Sequence, residues 1–303
     1  MNGVNGKSEI GSGAGEDSIG VFMQSNELAR RIAASQLAHY AAFPGRFAKV
    51  ARHNARVAKQ TASWLVRSRE YVHYTYDLEP LNMEHLAWFV STVTGSRVNV
   101  VRGYLAELQE DAELRRIIAD GLADSPRSAI TDRVVRYGRR IGWYAIVRAL
   151  RPEFVVETGT NRGMGSAVIA AAMLKNGRGR LATVDLDDRS GELILPPYDQ
   201  VIEHVVGDSL EFLSSPVVRR RPIDLLFVDT GHTPEHERAE LAAATPLLAP
   251  GAVVVATKTY CWQELSRWAE EQQREFLHFN EKPHDHWYQG VGIGASFPAR
   301  ARA

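Results

Sequence analysis

The sequence predicts an α/β protein, a doubly wound and mostly parallel sheet behind a helical N-terminal extension. Beyond residue 150, short β-branched runs alternate with helical segments, the pattern of strands joined by crossover helices. Ahead of that point the patterns are helical. At the first strand, 155-VVETGTNRGMGS-166 runs two β-branched residues into an acid and then places glycines at 159, 163 and 165. Such a turn behind a strand is a common ligand-binding device of open sheets.

The elements follow in order. The opening MNGVNGKSEIGSGAGEDS is polar and Gly/Ser-rich with no apolar segment, so residues 1–20 read as a disordered tail and not as a signal peptide. Residues 24–69 read as helical, broken near Pro44-Gly45. Within them Lys49, Arg52, Arg56 and Lys59 form one basic stripe, either a solvated face or a surface that docks onto an acidic one. An aromatic stretch, 71-YVHYTYDLEPLN-82, precedes helical patterns over 83–95, 97–109 and 111–122, punctuated by Ser125-Pro126. The stretch 132–150 reads as one amphipathic helix with Val134, Ile141, Tyr144, Ala145 and Val147 near one face. Strands are expected at 154–158, 181–186, 201–206, 223–229 and 251–257, and helices at 163–175, 234–248 and 261–273, the second opened by Pro234. Two further strands, near 274–280 and 291–297, have no helical pattern between them. Residues 21–130 are therefore expected to form a helical cap, lid and oligomerisation region, and 131–303 the ligand-binding domain.

Composition narrows the function. The 303 residues suffice for one large core plus a smaller unit, and 45% hydrophobic with 24% charged content is ordinary for a globular protein. No apolar run reaches the length of a membrane span, so no membrane partner is expected. Cys261 is the only cysteine, which excludes an internal disulfide and a multi-thiolate metal site and suits a reducing cytoplasm. Net charge is zero but uneven. Residues 1–69 hold 10 Lys/Arg and 4 Asp/Glu, residues 70–303 hold 26 and 32, so a front of +6 precedes a body of −6. An acidic body argues against nucleic acid. The opposed charges favour a homo-oligomer assembled through the N-terminal region.

The glycine turn fails two familiar patterns. A P-loop needs a lysine after its second glycine, and here Met164 and Gly165 follow Gly163. The G-x-G-x-x-G dinucleotide spacing is also absent. What remains is Glu157 at a strand end followed by Gly159-x-x-x-Gly163, which suits a ligand whose amino-acid portion lies against the backbone. An acid there can face an ammonium or sulfonium cation. Asp185 ends the second strand, where a carboxylate commonly accepts from ribose hydroxyls. Asp208, in VVGDS, ends the third; it is a helix N-cap or an adenine-side contact.

With VVETGTNRGMG, LATVDLDD, VVGDSLEFL and IDLLFVDTGHTPEHERAEL in this order, residues 132–297 resemble the class I S-adenosylmethionine-dependent methyltransferases. Within that family the chain is most similar to small-molecule O-methyltransferases related to catechol O-methyltransferase. The resemblance implies a Rossmann-like seven-stranded sheet of order 3-2-1-4-5-7-6 whose last strand is antiparallel. It implies that Glu157, Gly159, Thr160, Gly163 and Ser166 hold the methionine part of S-adenosylmethionine, Asp185 the ribose, and Asp208 and Ser209 the adenine, with Asp229 beside them.

Many relatives of the catechol type bind a divalent cation through an Asp after strand 4 and an acidic pair after strand 5. This chain keeps Asp229, but 255-VATKTY-260 offers no carboxylate. A hard cation wants several oxygen ligands, so no catalytic metal is expected. Lys258 stands where a ligand would be, as a replacement charge, a partner of Asp229 or a solvated lysine. His232, in 229-DTGH-232, is the general-base candidate, or else a group that orients Asp229. Tyr74 and Tyr76, with His286, Trp287 and Tyr288 from 283-PHDHWYQG-290, are expected to wall the acceptor pocket. The reading is a methyltransferase acting on a small secondary metabolite, at oxygen and without metal. C- or N-methylation, other chemistry on the same scaffold, and a non-catalytic cofactor-binding protein are the alternatives.

Overall fold

Period-two alternation in the strands decides where the functional groups go. The computed structural model describes residues 38–71, 74–230 and 233–299. The predicted tail at 1–20 and the base candidate His232 lie outside them. The chain divides into two units, Met1–Gln60 and Thr61–Ala303. The helix Phe43–Arg67 (α1) carries Lys49, Arg52, Arg56 and Lys59 along an exposed surface. A short helix, Ala38–Ala41, ends just ahead of it, so the break expected near Pro44-Gly45 falls at residue 42, and Pro44 sits in the first turn of α1, where its missing N–H has no partner to lose.

In the second unit, Pro80–Thr94 (α2), Val98–Glu110 (α3) and Ala112–Asp124 (α4) follow the predicted helices closely. Arg140–Leu150 (α5) does not, because residues 132–139 are not helical. Gly138 takes a left-handed φ of 52°, donates to the Tyr76 carbonyl at 2.9 Å and lies against the Tyr76 ring. Val134, expected on the buried face, is 56% exposed.

Seven strands follow: Phe154–Thr158 (β1), Arg180–Asp185 (β2), Ile202–Val206 (β3), Ile223–Val228 (β4), Leu248–Ala256 (β5), Arg274–Phe279 (β6) and Ile293–Pro298 (β7). They form one sheet ordered β3-β2-β1-β4-β5-β7-β6. β7 runs antiparallel to both of its neighbours. The connecting helices include Met164–Asn176 (α6), Ser209–Leu213 (α7), Pro234–Ala244 (α8) and Glu264–Glu271 (α9). One sheet face packs Val156, Val184, Leu226 and Val254 against Leu241, Leu265 and Trp268. The other packs Val155, Leu181, Leu225 and Val253 against α5, α6 and the front helices α2–α4, whose Leu86, Leu108, Leu114 and Ile118 are fully buried. The front helices thus share a core with the sheet.

Parity now places the chemistry. Side chains two apart along a strand share a face. Glu157 therefore follows Val155, Thr183 and Asp185 follow Leu181, Asp229 follows Leu225 and Phe227, and Thr257 follows Val253 and Val255. All of these point to the α5–α6 side at the carboxyl ends of the strands. β1 and β4 are the neighbours at which strand order reverses, the crevice where open α/β sheets bind ligands.

A zipper closes the front of the crevice. Leu78 bridges Pro283, Glu79 N–H donates to the Lys282 carbonyl at 2.9 Å, and His284 N–H to the Asp77 carbonyl at 2.7 Å. Glu281, 3% exposed, accepts from Tyr76 Oη at 2.5 Å and from the amides of Val291 and Gly292 at 2.9 and 2.8 Å.

Candidate active site

Two adjoining cavities open along the strand ends and share Gly159, Asn161, Asp229 and Thr230. The first, about 560 Å³, runs over β2 and β3 and is lined by Val184, Asp185, Leu186, Asp208, Ser209 and His236. The second, about 320 Å³, lies over β1 and β4 beneath α5.

The glycine turn joins them. Gly159 has φ 93°, and a Cβ there would stand 2.5 Å from the Asp229 carbonyl oxygen. The residue must be glycine because the β1 and β4 exits touch. Gly163 (φ 91°) meets Ile194 and Gly191 in the same way. Gly165 lets α6 close onto Glu157 and Trp143, since a Cβ would lie 2.7 Å from each.

Glu157 is 1% exposed. Ser166 Oγ donates to its Oε2, and Thr183 Oγ1 does so at 2.8 Å. Thr160 is buried and shares a hydroxyl contact of 2.7 Å with Thr183. Burial pushes the Glu157 carboxyl up to about 7 against its usual 4.5, the two hydroxyl donors pulling it down and Asp229 pushing it further up. Asp185 accepts from the amides of Asn161 at 2.6 Å and Asp187 at 3.0 Å, so its carboxylate is held at the edge of the first cavity. Asp208 caps α7, accepting from Leu210 and Glu211 amides at 2.8 and 3.1 Å. It is an N-cap and a cavity residue at once. Ser209 Oγ meets His236 Nε2 at 3.0 Å.

On the acceptor side Asp229 receives the guanidinium of Arg139 at 3.3 Å and the Thr257 hydroxyl at 2.5 Å. Burial lowers the Arg139 pKa, but Asp229 and Glu281 outweigh it and the group stays firmly charged. Lys258, with a left-handed φ of 60°, lines the same cavity. A carboxylate already facing a guanidinium, with a lysine beside it, does not fit a hard divalent cation. Among the described residues, no three His, Cys, Asp or Glu side chains cluster as a metal group.

The aromatic residues divide. Tyr74 and Tyr288 line the cavity, and burial pushes the Tyr288 hydroxyl up to about 12. Tyr76 does not line it; its ring is 3% exposed and its hydroxyl serves Glu281. His286 and Trp287 stack behind Tyr74, at ring separations of 5.8 and 5.2 Å, with Trp64 beyond them. Arg139, Arg140 and Trp143 went unnoticed in the sequence. An arginine pair opening a helix reads as a solvated face, and only the left-handed Gly138 turns it inward.

Residues 156–257 match the methyltransferase-domain family. The sequence matches no curated protein. Among solved structures, the O-methyltransferase TomG from Streptomyces achromogenes, involved in tomaymycin synthesis and in complex with SAM, is 18% identical with TM-score 0.47, over 63% of this chain and 92% of that one. A methyltransferase from Geobacter sulfurreducens is 18% identical with TM-score 0.45, over 66% and 98%. The O-methyltransferase from Bacillus cereus in complex with SAH is 16% identical with TM-score 0.42, over 62% and 91%. The residues fit the methyl donor. A carboxylate and polar donors edge a partly apolar cavity sized for a nucleoside, and a buried acid behind a glycine turn suits an amino-acid end.

Proposed function

We infer that this chain, a class I S-adenosylmethionine-dependent methyltransferase, acts on a small-molecule acceptor, at oxygen and without a metal ion. The observation that carries the reading is the second cavity. At about 320 Å³ it is walled by Tyr74 and Tyr288 and backed by the Arg139–Asp229 pair and Lys258. A planar, oxygen-bearing metabolite suits aromatic walls and a cationic floor; a nucleic-acid strand does not.

The donor, when bound, supplies a methyl group already activated on a sulfonium, so the protein needs no covalent step. Glu157 and the backbone of Gly159 and Gly163 hold its amino-acid end, Asp185 its ribose, and Asp208 and Ser209 the adenine side, where His236 joins them. Lys258 and Arg139 steady negative charge as the acceptor oxygen loses its proton. His232, two residues beyond the cavity residue Thr230, is the group assigned to take that proton. Alignment of the two reactants in a dry cavity supplies the larger share, about 7–11 kcal/mol in favourable systems. The front segment, 21–130, contributes the lid through Tyr74 and Thr75 and favours a homo-oligomer.

Incubation with methyl-labelled donor and a fractionated metabolite extract tests this. Label in a small product that releases it as methyl iodide on ether cleavage with hydriodic acid supports it. Label on nitrogen or carbon, or in nucleic acid, overturns it.

A further inference from the structure

Arg140 lines the second cavity and has no task among the roles above. It opens α5 directly after Arg139, and both guanidinium groups lie over the Trp143 ring, 6.0 and 5.8 Å from its centre. Their surroundings differ. Arg139 is paired with Asp229. The Nε of each is buried without an acceptor, but the side chain of Arg140 makes no hydrogen bond or ion pair at all among the described residues. A guanidinium is a permanent cation, and withdrawing one from water with no counter-anion is strongly unfavourable. Burial, and then Arg139, act against its charge and outweigh the more distant Asp229 and Glu281 that favour it. Its position in the cavity therefore calls for an anion.

The surroundings identify which anion. Trp143 also touches the glycine turn, since a Cβ on Gly165 would lie 2.7 Å from both Trp143 Cζ3 and Glu157 Oε1. Arg140 lines the same cavity as Glu157, Gly159 and Gly165, whereas the Arg139 guanidinium is committed to Asp229. Arg140 thus belongs to the β1 end of the cavity. The other cations do not serve there. Arg162 is spent on Glu192, Ser125 and Thr131, and Lys258 follows β5, two strands from β1. The amino-acid end of the donor is a zwitterion, with ammonium and carboxylate on one carbon. Glu157 answers the ammonium, and a planar guanidinium matches the carboxylate.

We propose that Arg140 is the receptor for the carboxylate of the cofactor's methionine part, working as a pair with Glu157. Arg140 precedes the segment 156–257 that matches the methyltransferase family, so the role belongs to this chain's own α5.

The test is equilibrium binding of two ligands, S-adenosylhomocysteine and 5′-methylthioadenosine, which keeps the nucleoside and thioether but lacks the amino-acid end. Arg140→Met is expected to weaken S-adenosylhomocysteine roughly 10- to 100-fold and to leave 5′-methylthioadenosine within about twofold, with Arg140→Lys recovering part of the loss. Undiminished S-adenosylhomocysteine affinity in Arg140→Met overturns the proposal and moves the anion to the acceptor. Equal loss of both ligands in both variants overturns it too, because it marks a packing role.

Discussion

Arg139 and Asp229 face each other at 3.3 Å, and Thr257 closes the third side of the carboxylate. The pair joins the helix ahead of the first strand to the exit of the fourth. It also commits the carboxylate that a divalent cation would need as a ligand. Methyl transfer is therefore expected to proceed within about twofold of its normal rate in excess EDTA. Activity lost to the chelator and restored by Mg²⁺ would refute the metal-free reading.

Removing one member of this pair leaves an uncompensated charge. Arg139→Met is expected to cost about 3 kcal/mol of stability and to lower kcat more than donor affinity. Denaturant unfolding and S-adenosylhomocysteine titration check the two parts separately. A variant as stable as the parent would mean that solvent already screens the pair.

Glu157 predicts a pH dependence. Its folded pKa, about 7, lies above the ordinary 4.5. The protonated form is the one the apo fold favours, so its contribution is complete below 4.5 and is lost as pH rises through about 7. Over that window the apo protein is expected to lose stability by at most about 1.4 kcal/mol per pH unit from this group. Donor affinity should move the opposite way, since an ammonium calls for the ionised acid. Glu157→Gln should flatten both slopes; slopes that persist in the variant would assign them elsewhere.

Gly159→Ala combines a left-handed φ of 93° with a Cβ 2.5 Å from a backbone oxygen. A cost of a few kcal/mol is expected, with loss of cofactor binding. Thermal unfolding measures the first and titration the second. A stable variant that merely binds weakly would show the turn to be more yielding than its contacts imply.

Tyr74 and Tyr76 are expected to separate cleanly. Tyr76→Phe removes a buried hydroxyl from Glu281 and should cost about 1–2 kcal/mol with acceptor KM unchanged. Tyr74→Ala should raise acceptor KM. A shift in KM from Tyr76→Phe would place that ring on the substrate path.

What the sequence made legible follows a physical division. Strand parity put Glu157, Asp185 and Asp229 at strand ends, and the sheet order matches the resemblance. These signals are local, one turn or one strand long. The arginine pair was not legible because residues 132–150 carry a helical period throughout, and one left-handed glycine ends the helix at 140. Nor was the fate of Tyr76, whose partner Glu281 lies 205 residues away. Asp208 reads two ways in the sequence, and the structure shows it capping α7 while it lines the first cavity, since a cap satisfies backbone amides without turning its carboxylate from the cavity.

The zipper between 77–79 and 281–284 has a consequence for how an acceptor enters. Tyr74 stands just before it and Tyr288 just after, with Glu281 holding Val291 and Gly292 to the same seam. The two aromatic walls are therefore two leaves of one shutter. An acceptor too wide for the cavity cannot push one ring aside alone; it must lift the whole seam, and the amides of Glu79, His284, Val291 and Gly292 would exchange with solvent together.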